Sequence, residues 1–265
     1  MTSMDKIENF SNSWGAFTVA SRGASLLSLN IEGMDLLHDF GDHWRHWASG
    51  AVMFPFPVRM ASGTKMEFEG VKYQWPVNDH PHRAALHGFT PWEEFELTQI
   101  ANGIQARWSY DGSKDYYPFP CLLTVRYTLD KNGLTLRCRV ENMGDANLPF
   151  HMGWHPYFKT IDPALKPVPV HRLKKNELSH PGEKIPFEGF DWTEEVDGAF
   201  FMDSIELGHI TIQPLSTITQ VFRPADAPFV AIEPITGLGH PDFPWRTVPP
   251  GEWHEVVTNV LMMRR

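Results

Sequence analysis

Four polar residues stand in surroundings that a purely structural role explains poorly: Arg59, His87, His155 and Glu233. Glu233 closes the apolar run PFVAIE and is followed by Pro234, which predicts a strand that stops there with its carboxylate facing a cleft. Burial and neighbours would then set its pKa, as a general base requires. A solvated strand-end glutamate is the plain alternative. His155 lies in PFHMGWHPYF among Trp154, Pro156, Tyr157 and Phe158, with Gly153 allowing close backbone approach. Imidazole titrates near neutral pH, so one residue can both give and take a proton within a turnover. The flanking aromatics offer faces for the C–H surface of a sugar ring, although a hydrogen-bonded core histidine would explain the same neighbours. His87 sits in AALHGF beside a glycine, and Arg59 in the proline-rich stretch FPFPVRMASG. A guanidinium offers a planar fork of donors for hydroxyl or carboxylate oxygens, and packing of its stem is the alternative role.

Other chemistries lack their usual supports. The chain has 13 histidines, with His80 and His82 and the pair His43 and His46 closest together, but neither pair has a cysteine or glutamate in a familiar metal motif. HPH in a loop of Asn, Asp and Pro reads as a solvated turn, so no metal and no cofactor is expected. There is no Gly-rich phosphate loop, nucleophile elbow or dinucleotide fingerprint. A formal net charge of -9 without a dense Lys/Arg run argues against nucleic acid and anionic membranes as partners. The polar start MTSMDKIENFSNSW has no apolar h-region, no later segment approaches a membrane span, and Cys121 and Cys138 lack CxxC spacing. The expectation is a cytoplasmic protein.

These residues must be held by strands. In LLTVRYTLDKNGLTLRCRVEN, Leu123, Val125, Tyr127 and Leu129 alternate with polar residues, and the alternation resumes at Leu134, Leu136, Cys138 and Val140. Asn132-Gly133 is placed as the turn of this antiparallel hairpin. A second hairpin is predicted from EFELTQI and IQARWSY around Asn102-Gly103, and further strands from HITIQ, TITQVF, PFVAIE and HEVVTNVLMM. No long apolar stripe at helical period occurs, and 22 prolines and 20 glycines punctuate the chain. The pattern predicts an all-β fold, a large antiparallel β-sandwich, as a single domain over residues 1–265.

Taken in order, six segments resemble the aldose 1-epimerase (galactose mutarotase-like) family: GASLLSLNIEGMDLL, VRMASG, LHGF, GWHPYF, AIEP and PPGEWHE. The resemblance implies a many-stranded antiparallel sandwich that binds a sugar and needs no cofactor. It implies Glu233 as general base and His155 as general acid, with Arg59 and His87 holding sugar oxygens. Asp197, in VDGAFF, looks like the family's substrate-binding aspartate, and Glu252 like a turn residue. Val58 replaces the asparagine that usually precedes the arginine, and Trp154 precedes the His-Pro pair, so the sugar is left open. One alternative is a mutarotase for a phosphorylated or sulfonated hexose, with Lys65, Lys72 and Arg83 as candidate clamps. Another is a non-catalytic carbohydrate-binding protein, which would need platforms and hydrogen bonds but no acid/base pair.

Overall fold

The predicted hairpin in residues 121–142 forms as two ten-residue strands, Cys121–Asp130 and Gly133–Asn142, paired antiparallel from Cys121 opposite Asn142 to Asp130 opposite Gly133. Leu123, Val125, Tyr127 and Leu129 are buried, as are Leu134, Leu136, Cys138 and Val140, so the period-two pattern does mark the core face. The turn lies one residue earlier than Asn132-Gly133: Lys131 and Asn132 make it, and Gly133 is already in the ladder. The same shift occurs in the second hairpin, where Ile100 pairs with Gly103 and the turn residues are Ala101 and Asn102. Close approach explains the glycine at that site. A Cβ on Gly103 would stand 1.8 Å from the Tyr127 carbonyl oxygen of the next strand.

The computed structural model describes residues 5–60, 62–159, 171–174, 177–178, 200–201, 205–207, 210–214, 218–222, 227–238 and 244–262. Among these, the helical elements are two 3-10 turns, Gly41–His43 and Thr90–Trp92, and no helix is long and apolar enough to cross a membrane. A seven-stranded antiparallel sheet runs in the order Ile205–Leu207, Ile210–Pro214, Trp253–Met262, Gly133–Asn142, Cys121–Asp130, Gly103–Tyr110, Glu96–Ile100. An eight-stranded sheet runs Glu177–Leu178, His171–Lys174, Phe200–Phe201, Ile218–Phe222, Phe229–Ile235, Gly153–Trp154, Val52–Met53, with Tyr157–Lys159 also paired to Phe229–Ile235. Smaller sheets accompany them, the largest formed by Ile7–Asn12, Gly15–Ala20, Leu26–Ile31 and Met34–Asp35.

One hydrophobic core joins the two large sheets. It contains Leu123, Val125, Tyr127, Leu136 and Val140 from the seven-stranded sheet and Trp154, Phe158, Val230 and Ile232 from the other. Opposed apolar faces of two antiparallel sheets are the defining feature of a sandwich. Three buried polar tips in this layer are satisfied: the Tyr127 hydroxyl donates to the Ala24 carbonyl at 2.8 Å, Tyr117 to Pro149 at 2.7 Å, and the Trp154 indole N–H to Gly50 at 3.0 Å.

Candidate active site

The strand carrying Glu233, Phe229–Ile235, is buried along its whole length and does not end at Glu233 as Pro234 suggests. Pro234 pairs with Thr219 on one side. The other ladder is interrupted here, because pairing passes from Tyr157 opposite Ala231 to Gly153 opposite Ile235. The stretch between those pairs holds His155 and Pro156, so two prolines sit where regular bonding has lapsed, and the strand tolerates them. That lapse is also where Glu233 and His155 meet. His155 Nε2 lies 3.7 Å from Glu233 Oε1, with both side chains almost fully enclosed. Gln220, which the sequence did not single out, is buried and directly opposite Glu233 in register, on the same sheet face.

His155 is fixed from two sides. Its backbone N–H donates to Ala51 at 3.0 Å, and its carbonyl accepts from Gly50 at 2.8 Å. The ring stacks on Tyr157 at 4.7 Å, with the Tyr157 hydroxyl 3.5 Å from Nε2. Tyr157 in turn packs against Phe40, Trp47 and Phe229, which form an aromatic wall beside the pair. Trp154 and Phe158 are not part of it. Both are buried in the core and meet edge-on, because alternation along the chain sends them away from His155.

His87 reaches the same place from a different segment. Its ring is edge-on to His155 at 4.9 Å. Its Nδ1 accepts the Val58 backbone N–H at 3.1 Å, while its own N–H donates to the Val58 carbonyl at 2.9 Å. With Nδ1 occupied as acceptor, the neutral ring carries its proton on Nε2. Gly88 follows because the Phe54 carbonyl would stand 2.1 Å from any Cβ there. Arg59 is adjacent, bridged by backbone to Leu86, and its Nε donates to Asp79 Oδ2 at 2.6 Å.

Val58 and His87 both adopt left-handed φ, 58° in each case. For a β-branched residue this is a strained position, whereas asparagine tolerates it. We predict that Val58→Asn, which keeps both backbone bonds to His87, stabilises the fold by about 1 kcal/mol. Thermal unfolding checks it, and an unchanged or lowered midpoint would contradict the assignment of strain.

The remaining sequence candidates fall elsewhere. Asp197 lies outside the described residues. Lys65 and Lys72 are exposed on the small hairpin of Lys65–Phe68 and Val71–Gln74, where Lys72 faces Glu67, and Arg83 is exposed too. His82 lies in an exposed turn, as read from the sequence, and in addition approaches both Asp79 carboxylate oxygens at 3.0 and 3.1 Å.

Burial dominates the electrostatics. Desolvation raises the Glu233 carboxyl to about 8 and lowers the His155 imidazole to about 3. It also takes His87 well down, assisted by the Arg59 guanidinium and by the repulsion that a protonated His155 would add. The enclosed pair therefore rests as carboxylic acid and neutral imidazole, holding one proton between two exchangeable sites. Glu233 Oε2 and His155 Nδ1 are buried with no hydrogen-bond partner among the described residues.

This architecture places the protein among galactose mutarotase-like β-sandwiches. Its fold matches a galactose mutarotase-like protein from Clostridium acetobutylicum with a TM-score of 0.77 at 14% identity, covering 99% of this chain and 96% of that one. It matches a candidate aldose 1-epimerase from Escherichia coli K12 with a TM-score of 0.76 at 19% identity, covering 97% and 99%. The model of the aldose 1-epimerase family matches residues 10–183, well over half of the chain, and the chain belongs to that family. Glu233 lies beyond the matched stretch. The uncharacterised protein YihR of Escherichia coli K12 is 27% identical over 162 residues, 59% of this chain and 52% of that one. The chain thus spans about half the length of that curated relative.

Proposed function

We propose that the protein is an aldose 1-epimerase acting on a hexose, with Glu233 and His155 as the proton-exchanging pair. The observation that carries this reading is the enclosed contact of the two groups at 3.7 Å, each retaining one buried polar atom without a partner among the described residues. Leaving such atoms unpaired costs about 1–3 kcal/mol each. Sugar hydroxyls would supply the missing bonds.

Glu233 as carboxylate takes the proton of the C1 hydroxyl while His155 as imidazolium protonates the ring oxygen. The C1–O5 bond breaks, C1 becomes a carbonyl, and the open-chain aldehyde forms. Afterwards Glu233 is a neutral acid and His155 a neutral base, which is the state burial favours. Ring opening therefore runs downhill for the protein's own charges, and the sugar's hydrogen bonds must sustain the ionic form that precedes it. Rotation about C1–C2 exposes the other carbonyl face, and reclosure reverses both transfers. Arg59 and the Nε2–H of His87 hold the chain oxygens in place meanwhile.

A single exchangeable proton on the pair fixes the pH dependence. That form prevails between the two shifted values, about 3 and about 8. Polarimetry on freshly dissolved α-glucose and α-galactose should show catalysed equilibration with kcat/KM level through neutrality and falling above about pH 8 as Glu233 loses its proton. Equilibration no faster than the spontaneous reaction would remove the reading.

A further inference from the structure

Arg59 does not enter the site alone. Asp79 is enclosed, its side chain 8% exposed, and its carboxylate is held between Arg59 Nε at 2.6 Å and His82 Nδ1 at 3.0 Å. The segment supporting it is pinned by its own bonds. Asp79 and Ala84 exchange backbone hydrogen bonds at 3.0 and 3.1 Å, and the Asn78 side chain both donates to and accepts from the Leu86 backbone. Leu86 is bridged to Arg59, and Met60 donates to Ala85 at 2.9 Å, so the Asp79 loop and the Arg59 segment form one unit. A carboxylate fixed on this unit does two things to the guanidinium beside His87. It sets the plane of the fork through Nε, and it offsets the positive charge that an anionic group would otherwise meet.

We infer that Asp79 is the positioning residue for Arg59 and biases the site toward uncharged sugars over sugars bearing a phosphate or sulfonate. The inference rests on the mutarotase reading and adds the substrate class. Its consequence is specific: the fork held by Asp79 orients toward hydroxyl oxygens and is already neutralised, so an added anion gains little there. Burial alone would raise the Asp79 carboxyl, but the hydrogen bonds from Arg59 and His82 outweigh it and keep the group ionised at neutral pH. His82 serves as the outer anchor, approaching both carboxylate oxygens from a solvent-facing position.

The test compares the unaltered protein, Glu233→Gln, Asp79→Asn, Asp79→Glu and His82→Gln on α-glucose and on α-glucose 6-phosphate. Asp79→Asn should raise KM for glucose about tenfold, equivalent to about 1.4 kcal/mol, with kcat changed much less. It should also shift the kcat/KM ratio toward the phosphorylated sugar by about tenfold. Asp79→Glu, which keeps the charge but moves it, should raise KM while leaving discrimination against phosphate in place. A folded Asp79→Asn protein with unchanged KM and unchanged discrimination overturns the inference. Should that variant fail to fold, His82→Gln decides: a severalfold rise in KM supports the role of the cluster, and an unchanged KM refutes it. Activity in the unaltered protein that Glu233→Gln abolishes shows that any such refutation concerns Asp79 alone. An inactive unaltered protein would instead sink the mutarotase reading and this inference together.

Discussion

Glu233→Gln should slow catalysed anomer interconversion by about 10²–10⁴-fold while leaving the sandwich intact. The amide matches the carboxyl in shape, so the strand Phe229–Ile235 and its contact with His155 survive. What is lost is a group able to carry the C1 hydroxyl proton in one direction and return it in the other. His155→Asn should cost a similar factor, because the ring oxygen then lacks its donor. In the proposed mechanism the two groups act on a single shared proton, so the double variant should be little worse than either single one. Independent, multiplying losses would mean that the residues do not work as a pair. Polarimetry gives the rates, and circular dichroism establishes that each variant is folded.

The same Glu233→Gln substitution should stabilise the protein, and the gain should depend on pH. The folded carboxyl titrates near 8, above its ordinary value of 4.5. Such a group contributes stability that is complete below pH 4.5 and is lost as pH rises toward 8, because the unfolded chain ionises first. Glutamine does not titrate. The variant should therefore match the unaltered protein near pH 4 and exceed it by about 3–4 kcal/mol at neutral to mildly alkaline pH. His155, lowered to about 3, carries the opposite signature: its stability is lost as pH falls below 6.5. Denaturant unfolding of both proteins at several pH values reads the difference directly. A gap that does not widen between pH 4 and pH 8 would mean that Glu233 is not held neutral in the fold. Loss of activity with gain of stability marks a residue retained for chemistry and not for packing.

Much of the fold can be read from alternation alone, since the strands at Cys121–Asp130 and Gly133–Asn142 bury the residues their period predicts. The turns were displaced by one residue because glycine served a crowding constraint from a neighbouring strand, which no local dipeptide rule contains. Pro234 misled for a related reason: a proline ends a strand only where the ladder needs its N–H, and here the ladder has lapsed. Arg59, His87, His155 and Glu233 were each ambiguous singly, and only their order along the chain joined them. Asp79 and Gln220 escaped assignment because their significance lies in cross-strand and loop contacts far apart in sequence. Of the aromatics in GWHPYF, Tyr157 faces His155, whereas Trp154 and Phe158 belong to the core.

The order of strands in the eight-stranded sheet has a consequence for how the protein is made. Val52–Met53 and Gly153–Trp154 are neighbours, and Gly153–Trp154 lies against Phe229–Ile235. A chain emerging from the ribosome presents the early strands long before the late one arrives, so their unsatisfied edges remain open to wrong partners during translation. The contact between Glu233 and His155 forms only after that late strand inserts between its neighbours. Nascent fragments should thus lack the proposed site and be prone to association, and their safe passage depends on shielding of those edges until the final segments are released.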